Sequence, residues 1–323
     1  MPLHDIWNHS IDRLMLTMQR VQRLLEGKSF LSQNNLQIAD HAVLERYGRS
    51  QHVELPSEFS AASWNIQKSA QALRERRLWT LIEKTLSRSF QKINQNDIVL
   101  WHERVHSVLT DTHIIALQEC ELHEPLKTVL AGLAETHDVA LAQAILRGGH
   151  TPSGIATASV AEHNDLTWHR SDTRELVTNA AKMALYSTYQ LEGSHLDLAF
   201  VNLHLSIFTT REQFKGEIAK VIHHLHQHPG PFIVLGDFNT WQSWRVEFLH
   251  EAIRKLGGEH VIWDHKSWRK TWNGNPLDHA FYRGLNLLHA QARRASDLKK
   301  IFNESDHGFL KIRFSAQSNI QML

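Results

Sequence analysis

The chain has a single cysteine in 323 residues, Cys120, so no intramolecular disulfide can form. Long hydrophobic runs are missing as well. The strongly apolar stretches, such as Phe232 to Leu235, are far too short to cross a bilayer. The first 25 residues hold Asp5, Asp12, Arg13, Arg20 and Arg23 with no unbroken apolar core, which argues against a signal peptide. These absences lead to the expectation of a soluble, cytoplasmic protein with no transmembrane segment. Excess charge of one sign is also lacking: 35 Lys and Arg face 34 Asp and Glu, a net charge of +1. A broad electrostatic grip on duplex nucleic acid needs a basic surplus, so any phosphate contact has to be local. With 15 Gly, 7 Pro, 42% hydrophobic and 21% charged residues, the composition is neither disordered nor collagen-like. No Cys cluster and no His-Glu-x-x-His helix occurs, which speaks against a tetrahedral zinc site. No glycine-rich Lys-Ser/Thr loop occurs, so a Walker-type phosphate cradle is not indicated.

What is abundant is histidine, with 24 residues. Histidine titrates near neutrality and ligates metals, but most of these positions read as surface or satisfied core. His279 and the run His223, His224, His226 and His228 read as a solvated helix face, with metal binding there as the lesser alternative. Periodicity then divides the chain. Ile11, Leu14, Met15, Met18, Val21 and Leu25 recur at helical spacing and predict an N-terminal helix that docks its stripe on the main domain or a second copy, with a partner-binding or membrane-surface helix as the lesser reading. Residues 27–56 are polar and mixed, with a short helix expected near 36–47. Residues 1–56 are therefore read as an appendage, 57–315 as the main domain and 316–323 as a tail.

From residue 57, short apolar runs alternate with helical patterns. Strands are expected at Phe59 to Trp64, His113 to Leu117, Leu196 to Leu205, Phe232 to Leu235, Leu277 to Tyr282 and Phe309 to Phe314. Helices are expected at Ala70 to Leu86, Asp97 to Leu109, Glu124 to Glu135, Thr210 to His228 and Ser243 to Leu256. Thr210 with Gln213 forms a capping-box signal for the fourth of these. The class is α/β.

The informative pattern lies at the strand ends. Asn65 closes the first strand, Gln118-Glu119 the second and Asn202 and His204 the third, and Gly236-Asp237-Phe238-Asn239 follows the fourth. Asp278-His279 opens the fifth, and Ser305-Asp306-His307 precedes the last. Clustered loops at one edge of a sheet are where sites form. Glu119, Asp237, Asp278 and Asp306, with the amides of Asn65 and Asn239, are hard oxygen donors of the kind Mg²⁺ or Mn²⁺ prefers. His204 and His307 can donate protons or hydrogen bonds to an anion. A hard metal, carboxylates and imidazoles together fit hydrolysis of a phosphate ester. Trp241 and Trp244 beside the Asp237 loop could stack on a base, and packing of a helix start is at least as good a reading. Gln118 reads as a buttress for Glu119, and Cys120 as an inert buried thiol.

Ser63-Trp64-Asn65-Ile66, Leu117-Gln118-Glu119, Val201-Asn202-Leu203-His204, Gly236-Asp237-Phe238-Asn239 and Ser305-Asp306-His307 occur in the order seen in the endonuclease/exonuclease/phosphatase (DNase I-like) superfamily. The sequence resembles that superfamily from residue 57 to about 315, and within it the poorly characterised bacterial YafD-type branch. The resemblance implies a four-layer α/β sandwich, two mostly antiparallel sheets face to face with helices outside. It implies Asn65, Glu119 and Asp306 around a Mg²⁺ or Mn²⁺ ion, with Glu119 as direct ligand. It implies His204 against the scissile phosphate, Asp237 and Asn239 orienting nucleophile and phosphate, and His307 held by Asp278. The implied substrate is a phosphodiester, with nucleic acid first. A phospholipid, sphingomyelin-like or inositol phosphate is the alternative, and an inactive partner-binding scaffold a third reading. Two departures stand out. Gly308-Phe309 follows His307 where the family usually places a proline, and Gly154 to Ser159 resembles a family strand but lacks the arginine often found just after the serine. The basic stretch 293–304 is a candidate replacement for that charge.

Overall fold

In a computed structural model, the described residues are 42–48, 53–66, 109, 111–120, 126–144, 154–174, 181–207, 209–263, 271–272, 274–293 and 307–317. The expected N-terminal helix, the helical patterns at 70–86 and over most of 97–109, the basic stretch beyond Arg293, and Ser305 and Asp306 lie outside these residues.

The elements in chain order are β1 (Ala42–Tyr47), β2 (Glu58–Asn65), β3 (Ile114–Cys120), α1 (Leu126–Ala134), β4 (Asp138–Ala144), β5 (Gly154–Ser159), β6 (Asn164–Arg174), β7 (Ala181–Tyr189), β8 (Leu198–His204), α2 (Arg211–His226), β9 (Phe232–Asp237), α3 (Ser243–Arg254), β10 (Glu259–His260), β11 (Thr271–Trp272), β12 (Asn275–Pro276), β13 (Asp278–Arg283), β14 (Leu285–Arg293) and β15 (Phe309–Ala316). One sheet runs β1-β4-β5-β3-β2-β15-β14 and a second β10-β13-β9-β8-β7-β6, while β11 and β12 form a separate ribbon.

Strand alternation builds the layers, because successive side chains point to opposite faces. Phe59 and Ala61 of β2, with Ile114 and Ala116 of β3, meet Phe200 of β8 and Ile233 and Leu235 of β9 between the sheets. The intervening residues face outward. Ala62, Trp64, Ile115 and Leu117 pack under Leu126, Val129, Leu130 and Leu133 of α1. Val201, Leu203, Phe232 and Val234 pack under Phe214, Ile218 and Leu225 of α2 and Leu249 and Ile253 of α3. The result is the expected helix–sheet–sheet–helix sandwich. The capping box also forms: Thr210 accepts from the Gln213 backbone N–H, and the Gln213 side chain accepts from the Thr210 N–H.

Two expectations fail. Ala42–Tyr47 is an edge strand paired antiparallel with β4, where a short helix was expected near 36–47. His279 does not belong to a solvated helix face. It lies in β13 and is fully buried.

Among the described residues, each sheet contains one parallel strand pair, β2 with β3 and β8 with β9, and the other strand pairs of the two sheets are antiparallel. Parallel neighbours end at the same sheet edge, and an antiparallel neighbour begins there. That geometry decides which residues meet. Among the described residues, no helix is long and apolar enough to cross a membrane.

Candidate active site

The C-terminal ends of both parallel pairs converge on one cluster. His204 and Asp237 are register partners across β8 and β9, and Asp237 is opposite Asp278 at the start of β13. Asn65 ends β2 and extends its amide N–H across to the other sheet, donating to Asp237 Oδ2 at 2.9 Å. His204 Nε2 and His307 Nε2 each lie 3.6 Å from that same oxygen. His307 Nδ1 faces both Asp278 oxygens, at 2.9 and 3.0 Å. All five side chains are buried.

Local backbone features aim these groups. Gly236 has φ 141°, and a Cβ there would lie 1.9 Å from the Leu203 carbonyl oxygen, so glycine is required for β9 to stay against β8 just before Asp237. Asn239 takes the left-handed conformation at φ 49°, which asparagine tolerates better than most residues. Its N–H donates to Asp237 Oδ1 at 2.9 Å and its side-chain amide to the Leu205 carbonyl at 2.7 Å. Both Asp237 oxygens are thus held from fixed directions.

Glu119 sits in a β-bulge. Gln118 pairs with Ile155 and Cys120 with Gly154, leaving Glu119 as the extra residue at φ 58°. Without the bulge, alternation would turn residue 119 to the outer face with Leu117. The bulge re-aims it to the site, and a strained non-glycine φ of this kind is stored where the surrounding structure fixes it. Asn65 Nδ2 is 3.5 Å from Glu119 Oε1, and the carboxylate retains 19% exposure. Gln118 does not buttress Glu119 as expected. Its amide donates to Asn202 Oδ1 at 2.8 Å, and Asn202 in turn donates to the Ala156 carbonyl at 2.9 Å, a buried polar link between the sheets beneath the site.

Lys182, at the start of β7, escaped the sequence reading. It is 3% exposed, with its ammonium 3.6 Å from Glu119 Oε1 and Glu119 itself 3.8 Å from His204 Nε2. Because β7 is antiparallel to β8, its first residues reach the edge where β8 ends, and that pairing was the signal that could have found it. Ser159, after which the family's arginine is expected, pairs with Ile114 at the end of β5 away from Glu119, so Lys182 does not stand in for it.

Trp241 packs. It is 2% exposed, its indole N–H donates to the Ile207 carbonyl, and Arg245 lies over its ring. Arg245, fully buried, donates to the Asn239 carbonyl and to Thr209, which ties the Asp237 loop to the loop after β8. Trp244 packs edge-on to Phe214. Cys120 is buried among apolar groups that push its thiol far above the usual range, as expected of an inert residue. Asp237, Asp278 and His307 have ligand atoms within 4.8 Å of one another, close enough to share an ion.

Comparisons with known proteins bear on the fold and the family. A UPF0294 protein of Vibrio campbellii is 29% identical over 217 residues, 67% of this chain and 72% of its own. A UPF0294 protein of Vibrio vulnificus is 35% identical over 135 residues, covering 42% and 45% of the two chains. Among solved structures, an endonuclease/exonuclease/phosphatase family protein from Leptotrichia buccalis superposes with TM-score 0.55 at 16% identity, over 79% of this chain and 98% of that one. The human Nocturnin catalytic domain with bound sulfate gives TM-score 0.53 at 18% identity, over 85% and 98%. These likenesses are of fold. Residues 62–307 match the endonuclease/exonuclease/phosphatase family as a sequence family, and the chain belongs to it.

Proposed function

We propose that the protein is a Mg²⁺-dependent phosphodiesterase acting on nucleic acid. The observation that carries this reading is the Asp237 carboxylate, held by Asn65 and the Asn239 N–H with two imidazoles 3.6 Å away. A carboxylate fixed by two donors is oriented to accept a proton from an attacking water, and proximity supplies much of such a rate gain. His307 Nδ1 lies against the Asp278 carboxylate, so Nε2 faces the site. Lys182 adds positive charge, and His204 a hydrogen-bonding imidazole, where a phosphate would gather negative charge in the transition state.

The donor set suits a hard cation. Glu119 and Asn65 would hold it through oxygen, and Asp306 is proposed as a further carboxylate ligand. When bound, the ion neutralises phosphate charge. The sulfate held by the human Nocturnin domain is a tetrahedral oxyanion on a similar fold, which supports the substrate class.

A panel of plasmid, abasic duplex, single-stranded DNA, RNA, sphingomyelin and inositol phosphates, each with Mg²⁺, tests the proposal. Hydrolysis of a nucleic acid that stops in excess chelator is the expected result, with Glu119→Gln shifting the Mg²⁺ requirement upward by about tenfold or more. Turnover of only the lipid or inositol substrates would reassign the substrate, and full hydrolysis in chelator would end the metal-dependent reading.

A further inference from the structure

We infer that the outer face of the six-stranded sheet carries a second, chemically different metal site: Zn²⁺ bound by His250 of α3, His260 of β10 and His279 of β13. The inference stands apart from the hydrolytic site and does not depend on it. The three residues each offer a ring nitrogen within 4.8 Å of the others. Their rings are packed on one another, with centroids 4.4 Å apart for His250 and His260 and 5.3 Å for His260 and His279.

The tautomer of His279 follows from its neighbours. Thr240 directs its hydroxyl proton to the Pro276 carbonyl, and His279 Nε2 lies 2.7 Å from the Thr240 oxygen and 3.2 Å from the Pro276 oxygen. A carbonyl has no proton to give and the hydroxyl has committed its own, so Nε2–H is the donor to both. Nδ1 therefore carries the lone pair. It points at His260 Nε2, 3.2 Å away. Two nitrogens bound to tetrahedral Zn²⁺ at about 2.0–2.1 Å stand about 3.3 Å apart. Ligating histidines characteristically donate their other ring N–H to a carbonyl or similar acceptor, which is the arrangement of His279 with Pro276 and Thr240.

The donor set selects the metal. Among the described residues the donor set is three imidazoles with no carboxylate, which suits Zn²⁺ and its borderline neighbours and does not suit Mg²⁺, which prefers oxygen. His279 is buried, while His250 and His260 are partly exposed. An ion there would join α3, the edge strand β10 and β13, and through Thr240 would brace the loop that follows Asp237. Sequence inspection could not group His279 with His250 and His260, because the three ligands come from a helix and two strands rather than from one motif.

Tag-free, full-length, metal-stripped protein would be titrated with Co²⁺ and then Zn²⁺ in millimolar Mg²⁺, following the visible absorption of four-coordinate Co²⁺. The expected result is one equivalent of Co²⁺ in a tetrahedral environment, displaced stoichiometrically by Zn²⁺, with a raised melting temperature. Uptake should survive in Asp237→Ala and in His223→Ala on the exposed face of α2. It should weaken by at least a hundredfold in His250→Ala and His260→Ala, and by roughly 10–100-fold in Thr240→Val, the usual effect of losing an outer partner. His260→Gln, which retains bulk and hydrogen-bonding capacity, covers the case in which the alanine variants fail to fold. Absence of saturable uptake, uptake unchanged in the folded His260 variant, or uptake lost in Asp237→Ala would each overturn the site and leave the three rings as a hydrogen-bonded stack.

Discussion

Asp278 and His279 are consecutive residues on β13, yet they enter two different chemical worlds. Asp278 points between the sheets, where it holds His307 at 2.9 Å in the company of Asp237, Asn65 and Glu119. His279 points outward into a layer of rings, 5.6 Å from Phe238 and 5.8 Å from Phe281 by centroid. The inner edge mixes carboxylates with imidazoles and one lysine. The outer face gathers imidazoles among aromatic carbon. Strand alternation alone separates the two sets, so one strand positions oxygen donors on one side and nitrogen donors on the other without either set competing for the same ion.

The largest effect should come from breaking the inner edge. Asp237→Ala removes the oxygen that Asn65, His204 and His307 surround, and should reduce phosphodiester turnover by about two to four orders of magnitude. Circular dichroism should stay native, because the side chain contributes little apolar packing. Steady-state rates on the best substrate of the panel decide it, and an unchanged rate would remove Asp237 from the mechanism.

A smaller effect is expected at Lys182, where the reach of sequence reasoning becomes visible. The central strands were legible because β2, β3, β8, β9 and β13 are buried on both faces and read as near-continuous apolar runs with polar ends. Edge strands were not. β1, β6 and β14 border the sheets and carry polar residues such as Glu45, His169 and His289. β4, with Ala140, Ala142 and Ala144 in seven residues, has a composition that favours helix, and pairing on both sides overrides it. Lys182 was missed for a related reason. It opens a strand that no apolar run announced, and only the antiparallel pairing of β7 with β8 carries it to the site. Lys182→Met keeps the stem and removes the charge. It should lower kcat/KM by about a hundredfold, the scale of one lost electrostatic contact to a developing charge. An equal loss in Lys182→Arg would point to packing; substantial rescue by arginine would assign the loss to charge.

The smallest effect concerns stability and sharpens the contrast from the outer layer. At the inner edge, Glu119, Asp237 and Asp278 each lie near lysine or imidazole nitrogens. Glu217 of α2 is buried at 7% exposure, and burial pushes its carboxyl up to about 7, only partly offset by hydrogen bonds from Ser171 and Ser206 and by the charge of Arg245. A folded-state pKa above the unfolded value of 4.5 means that the native state holds its proton while the unfolded chain has released it. Stability from this group is therefore fully present below pH 4.5 and is lost as pH rises to about 7, where the buried carboxylate must ionise. Glu217→Gln retains the shape and much of the hydrogen bonding without the charge. The variant should gain about 2 kcal/mol on wild type between pH 5 and pH 8, at roughly 1.4 kcal/mol per unit of displacement. Urea unfolding at the two pH values measures the gain, and parallel pH profiles for both proteins would mean that Glu217 ionises in the fold at little cost.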